Sequence, residues 1–324
     1  MLLDIFWLIF GLALVLAGAS ALTDGASALA KKWGMSDLTV GLTVVAFGTS
    51  APELVISVTS AISGNAGLAI GNVVGSNIFN VCMIIGITAL VRPIRVTKGV
   101  MAADLPLVIL SALVLLVMGN ARLLDGSPVN ILSRVDGIIL LMFFIIFMYH
   151  TFSSAKDADP DDPTAEEGGK MKEMKGWKAA LYVVGGLAGL ILGGDKFVEG
   201  ASGIASCLGV SDAMIGLTIV AAGTSFPELA TSITAAVKGK PGLAVGNVIG
   251  SNIFNIFMVL GCSATVRQLP FGSVGNVDLL VLAGSCLLFW LFGRYYKELL
   301  ISRLEGAVLT ACYIGYMAWL IASA

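Results

Sequence analysis

The chain has 324 residues, of which 57% are hydrophobic and 12% charged, about half the roughly 25% charge of soluble domains. With a mean hydropathy of +0.94 it lacks the polar groups to cover a surface in water. That excludes a water-soluble enzyme and leaves a polytopic membrane protein. A net charge of −2 excludes a basic nucleic-acid binder, and a single histidine, His150, argues against histidine-rich metal sites and Ser-His catalysis.

A bilayer core of about 30 Å takes about 20 apolar residues per helix. In chain order, such runs fall at about 4–30, 37–62, 67–90, 101–119, 132–151, 178–206, 212–237, 242–265, 275–293 and 303–322. The alternation of a membrane β-barrel is missing, so the predicted fold class is all-α with ten transmembrane helices. Within the first run an apolar stretch is followed by small residues (Ala19, Ser20, Ala21). Its start carries Asp4 and no Lys or Arg, which argues against a cleaved signal peptide. The second and seventh runs carry Gly48 and Pro52, and Gly223 and Pro227. The third and eighth are Gly-rich, so helices 2, 3, 7 and 8 are expected to be discontinuous. Five cysteines (Cys82, Cys207, Cys262, Cys286, Cys312) form no C-x-x-C pair, which suggests neither a disulfide frame nor a zinc site.

With the first terminus outside, fifteen Lys and Arg fall on inside loops and three, Arg122, Arg134 and Arg267, on outside loops. This places both termini outside and the central loop in the cytoplasm, in a multi-pass protein of the cell inner (plasma) membrane. The loop holds K-D-A-D-P-D-D-P-T-A-E-E. Asp157, Asp159 and Asp161 invite an EF-hand reading, but Asp162 stands where Gly is needed and Gly168 where Glu is needed. The loop reads as a flexible linker.

The chain contains itself twice. Residues 36–80 and 211–255 align without a gap at a shift of 175, with 29 of 45 positions identical. The division is 1–151 as a first five-helix repeat, 152–177 as a cytoplasmic linker and 178–324 as a second five-helix repeat. Five is odd, so the second half enters the membrane from the opposite side. That is an inverted-topology repeat, whose symmetry suits alternating access to one central site.

The repeated motif carries the chemistry. Glu53 and Glu228 lie mid-span, where a carboxylate costs several kcal/mol unless it faces partners or a cavity. Each follows a proline, so the helices are expected to open near Ala46–Gly48 and Ala221–Gly223. The carbonyls of Ala46 and Ala221 would then be free for cations. Thr49 and Glu53 share a helical face, as do Thr224 and Glu228, and Ser50 and Ser225 add hydroxyls. In G-N-V-V-G-S-N-I-F-N, Ser76 and Asn80 stand four apart, and Ser251 and Asn255 are their twins. Asn77 and Asn252 offer amides on a neighbouring face. Gly71, Gly75, Gly246 and Gly250 read as helix-packing positions.

Together these side chains make an all-oxygen site, the chemistry of hard cations such as calcium. No Cys or His is placed for softer metals. Two carboxylates neutralise one divalent ion, or most of the charge of two or three sodium ions. A site that holds either load but not both is an exchanger. A divalent-cation channel would gain little from inverted halves. H-E-x-x-H, G-x-S-x-G and G-x-x-x-x-G-K-[ST] are absent from the sequence, which argues against an enzyme.

The doubled pair G-T-S-x-P-E and G-S-N-I-F-N resembles the alpha-repeats of the calcium/cation antiporter superfamily, most of all prokaryotic sodium/calcium exchangers. The resemblance implies that Glu53 and Glu228 bind calcium. It implies that Thr49, Ser50, Ser76, Thr224, Ser225 and Ser251 serve mainly sodium, with Asn80 a central polar ligand. It also implies ten helices, with the first and sixth a sliding pair against a compact core. Two positions depart from the pattern. Asn255 stands where many relatives carry Asp, leaving two central acids rather than three and arguing against potassium dependence. Gly75 and Gly250 stand where proton-coupled relatives carry Glu, which makes proton-coupled calcium antiport the alternative. A buried carboxylate is costly to ionise without a cation, so protons should compete with calcium there. The expected partners are calcium, sodium, protons and the bilayer, with no nucleic acid, no cofactor beyond the transported ions, and a functional monomer. Asp195 and Lys196 read as a snorkelling pair, and Trp33, Trp177 and Trp319 as interfacial anchors.

Overall fold

A computed structural model describes residues 1–154, 174–209, 221–272, 274–296 and 299–323. Most of the acidic central loop and the first third of the predicted seventh span lie outside the described residues.

Among the described residues, eight helices are long and apolar enough to cross a membrane, and one bent pair of shorter helices passes the same test. They run α1 Leu2–Trp33, the bent pair α2 Asp37–Thr49 and α3 Ala51–Ile62, α4 Ala66–Val91, α5 Val100–Met118 and α6 Arg134–Ser154. After the linker come α7 Gly176–Cys207, the short α8 Ala221–Gly223 and α9 Phe226–Val237, then α10 Pro241–Val266, α11 Asn276–Tyr295 and α12 Arg303–Ala322. Each of these helices falls on a predicted run, because hydropathy and length settle where a helix can cross. Trp33, Trp177 and Trp319 are all exposed.

Burial sorts the helices. In α4 and α10, 78% and 94% of the most apolar window is buried, against 22% and 17% in α6 and α12. α4 and α10 are therefore the centre of the bundle. Two apolar clusters form. The larger joins α4, α5, α6, α10, α11 and α12. The smaller joins α1 and α7 to α2, α9 and the start of α10.

α1 and α7 are 32 residues each. At about 1.5 Å per residue that is about 48 Å, so a membrane core of about 30 Å is crossed at a tilt. They pack antiparallel along a seam of glycines seven apart: Gly11, Gly18 and Gly25 on one helix, and Gly186, Gly193 and Gly200 on the other. A Cβ at Gly18 would come within 2.8 Å of the Gly186 carbonyl oxygen and the Leu190 nitrogen. A Cβ at Gly193 would come within 2.8 Å of the Val15 nitrogen. The backbones touch, as small residues permit in a membrane, where no hydrophobic force drives helices together.

α4 and α10 correct one expectation. Neither is discontinuous. Each passes through a π-helical stretch, Phe79–Ile84 in α4 and Phe254–Leu260 in α10, and continues as α-helix. Without a proline to remove an N–H, the extra residue is absorbed by a wider turn instead of a break. Gly246 and Gly250 pack as predicted, their Cβ positions 2.5 Å from the carbonyl oxygens of Leu38 and Leu42. The positions equivalent to Leu38 and Leu42 at the shift of 175 lie outside the described residues, so Gly71 and Gly75 have no described counterpart for that packing.

Four two-residue strands were not predicted. β1 Ile94–Arg95 pairs antiparallel with β4 Leu300–Ile301, and β2 Ile131–Leu132 with β3 Leu269–Pro270. Each ladder joins one half of the chain to the other.

Candidate functional site

The site grows from two helix starts. α2 ends at Thr49, the chain turns at Ser50 (φ −88°, ψ 9°), and α3 begins with Ala51 and Pro52. The bend is 47°. Ser225 repeats the turn (φ −90°, ψ 8°) before Phe226 and Pro227 start α9. Proline suits a first helical turn, where its missing N–H would have had no acceptor. Glu53 and Glu228 follow in that same turn, at the positive end of each helix dipole, which favours a carboxylate.

The break sits later than expected. The Ala46 carbonyl is not left bare: it accepts from the Ser50 N–H at 3.0 Å and from the Thr49 hydroxyl at 3.4 Å. Pro52 removes the bond one turn before itself, at Gly48, so the opening falls at Ser50 rather than at Ala46–Gly48. Ala221 opens α8.

The two halves exchange contacts across the site. Ser50 donates to Glu228 Oε1 at 2.8 Å, and Ser225 donates to Glu53 Oε1 at 3.3 Å. Thr49 lies against Glu228, and Thr224 against Glu53. Both carboxylates are fully buried. In each, Oε2 has no hydrogen-bond partner.

A second shared layer lies on α4 and α10. Asn77 Nδ2 donates to the Asn252 carbonyl at 3.1 Å, Asn80 Nδ2 to Asn252 Oδ1 at 3.0 Å, and Asn255 Nδ2 to Asn77 Oδ1 at 3.0 Å. The amide nitrogens of Asn80 and Asn255 are thus spent on the partner helix, while the Oδ1 atoms of both have no partner. Both residues belong to the π-helical stretches, which pack against the opposite glutamate helices: Asn80's on α9, Asn255's on α3. Ser76 and Ser251 are buried one turn earlier, and Ser251 Oγ has no partner.

Two further residues complete the site. Asn72 Nδ2 donates to Ser57 Oγ at 3.0 Å and to the Glu53 carbonyl at 3.4 Å. Its twin Asn247 donates to Ser232 Oγ at 3.0 Å and to the Glu228 carbonyl at 3.3 Å, and accepts from Thr49 at 3.1 Å. Both asparagines are identical within the repeat, and that identity was the available signal. They hold the glutamate helices rather than face a ligand.

Buried oxygens without a donor are costly. Here they comprise two carboxylate oxygens, two amide oxygens and a hydroxyl. Among the described residues, no group of three His, Cys, Asp or Glu side chains could hold a metal. An unmet set of oxygens with two acids suits a hard, partly dehydrated cation. Other charges within the spans lie elsewhere. Lys196 pairs with Glu199 at 2.6 Å and stands 4.5 Å over the Trp7 ring, so its partner is not Asp195. Asp24 pairs with Lys238 at 2.7 Å.

Known proteins resemble this chain over its whole length. CaxA of Alkalimonas amylolytica is 38% identical over 327 residues, covering 100% of both chains. The inner membrane protein YrbG of Escherichia coli is 36% identical, covering 99% of this chain and 97% of its own. The solved structure of the sodium-calcium exchanger NCX_Mj superposes with a TM-score of 0.82 at 32% identity, covering 98% of each chain. Residues 3–153 and 178–322 match the family described as sodium/calcium exchanger protein. The chain is an all-helical, multi-pass member of the sodium/calcium exchanger family.

Proposed function

We propose that this protein exchanges calcium for sodium by alternating access at the site shared between its halves. The observation that carries the reading is the crossed pair of Ser–Glu hydrogen bonds, with one buried oxygen of each glutamate left without a donor. Two carboxylates balance one calcium ion or two sodium ions, so the same oxygens suit either load in turn. Glu53 and Glu228 are assigned to calcium. Thr49, Ser50, Ser76, Thr224, Ser225 and Ser251, with the carbonyl of Ala221, are assigned mainly to sodium, and Asn80 and Asn255 contribute amide oxygens.

The architecture proposed is ten membrane helices in two inverted five-helix repeats, both termini outside the cell and the linker in the cytoplasm. The name of YrbG, an inner membrane protein, supports the inner membrane as the location. The α1–α7 pair belongs to a smaller apolar cluster than the central helices. Its two helices meet backbone to backbone along the glycine seam, which suits a pair that shifts as one body. The exchanger works as a monomer, since both carboxylates come from one chain.

Purified protein in liposomes tests this directly. Calcium uptake should follow an outward sodium gradient and stop when that gradient collapses. Uptake driven by a proton gradient alone would instead establish proton-coupled calcium antiport, and conductance without any gradient would establish a channel.

A further inference from the structure

A cavity of about 750 Å³ opens at the junction of the α3–α4 loop with β2 and β3. Arg134 and Arg267 both line it. Arg134 starts α6, and Arg267 follows the end of α10. Each guanidinium caps a helix of the other half: Arg134 donates to the Val266 carbonyl at 3.3 Å, and Arg267 to the Ile62 carbonyl at 3.1 Å. A guanidinium has five N–H donors, so each cap leaves donors over. Among the described residues neither arginine is paired with a carboxylate. The nearby Asp136 is occupied, its Oδ2 accepting from the N–H and the hydroxyl of Ser133. Two uncompensated cations therefore share one cavity.

The opposite wall adds donors. Ala66 and Gly67, in the first turn of α4, also line the cavity. Asn65 caps that turn by accepting from the Leu68 N–H, which leaves the first two amides of the helix without an intrahelical acceptor. The repeat offers an internal contrast. The equivalent cavity, about 250 Å³, is lined by Arg92, the twin of Arg267, and by Pro241, the twin of Ala66. Arg92 there donates from one nitrogen to both the Ala236 and Val237 carbonyls, and Pro241 brings no N–H. Both cavities hold spare guanidinium donors, from Arg92 and Arg95 in the smaller one, but of the two the first alone adds room and open amides.

We propose that this cavity binds a phosphate-bearing anion between Arg134 and Arg267, over the first turn of α4. Guanidinium forks match phosphate oxygens, and a helix start adds amides and a favourable dipole. The shared chemistry is a phosphate group; its source is either a phospholipid headgroup or free phosphate.

Native mass spectrometry of the delipidated full chain, titrated with phosphatidylglycerol or phosphatidylcholine, tests the first source. Thermal unfolding in lipid-free detergent with inorganic phosphate tests the second. In the pair Arg134→Gln with Arg267→Gln, phosphatidylglycerol or phosphate binding should weaken by about tenfold or more. Arg134→Lys with Arg267→Lys keeps the charge but loses the fork, so its binding should fall below the parent's and stay above that of the Gln pair. Response to phosphatidylglycerol alone identifies the headgroup; response to phosphate as well identifies a general phosphate site. Should the Gln pair not remain monodisperse, Ala66→Asp leaves both caps in place and sets a negative charge in the cavity. It should abolish anion binding. Binding unchanged in the Gln pair or in Ala66→Asp, or no binding of either anion by the parent protein, overturns the proposal.

Discussion

Ser50 donates a 2.8 Å hydrogen bond to Glu228, a residue of the other half of the chain. Its twin, Ser225 to Glu53, is longer at 3.3 Å. A hydrogen bond to a charged group contributes about 1.5–3 kcal/mol, so the shorter bond should matter more. Ser50→Ala is expected to raise the half-saturating sodium concentration about tenfold, with calcium half-saturation changed less, and Ser225→Ala to do the same more weakly. Sodium and calcium titrations of flux in proteoliposomes check the order.

Glu53→Gln and Glu228→Gln should each abolish exchange and leave a folded, monodisperse protein. The amide keeps the size of the side chain and removes the charge that balances calcium. Size-exclusion profiles together with sodium-driven calcium uptake decide it, and retained exchange in either variant would remove both residues from the ion shell.

Asn255→Asp places a third acid beside the buried pair. The amide nitrogen now bound to Asn77 Oδ1 is lost, and a new charge enters the site. The variant is expected to change the sodium Hill coefficient, the pH profile or the response to potassium. Transport unchanged in all three would put position 255 outside the ion shell.

The glycine seam makes a prediction about motion rather than ligands. Gly18→Ala drives a methyl into the backbone of α7 and should cost about 1–3 kcal/mol as overpacking, seen as a lower unfolding temperature and slower exchange. Gly185→Ala has nothing within 4 Å of its Cβ and should leave both measurements unchanged.

Much of this was legible in the residues. A crossing helix announces itself through a long apolar run, and Glu53 and Glu228 stand out because an acid in such a run is costly and here occurs twice. The bend was legible from Pro52, but its position was not. Proline removes a bond at Gly48, and whether the preceding turn still closes on Ala46 depends on Thr49 and Ser50. The π-helical stretches around Asn80 and Asn255 leave no mark in the sequence, since one extra residue per turn alters neither composition nor length. Asn72 and Asn247 look like ordinary polar residues of a Gly-rich segment until the glutamate helices are seen resting on them. Strands of two residues are too short for any alternation to be read.

The two small ladders reach beyond their size. Among the described residues β1 finds its mate only in β4, and β2 only in β3, just as Ser50 finds its acid across the midline. A first half alone would hold an orphaned strand at either end and a carboxylate lacking its hydroxyl, and so would a second half. Neither half can therefore close its ladders or its Ser–Glu bonds until it meets the other.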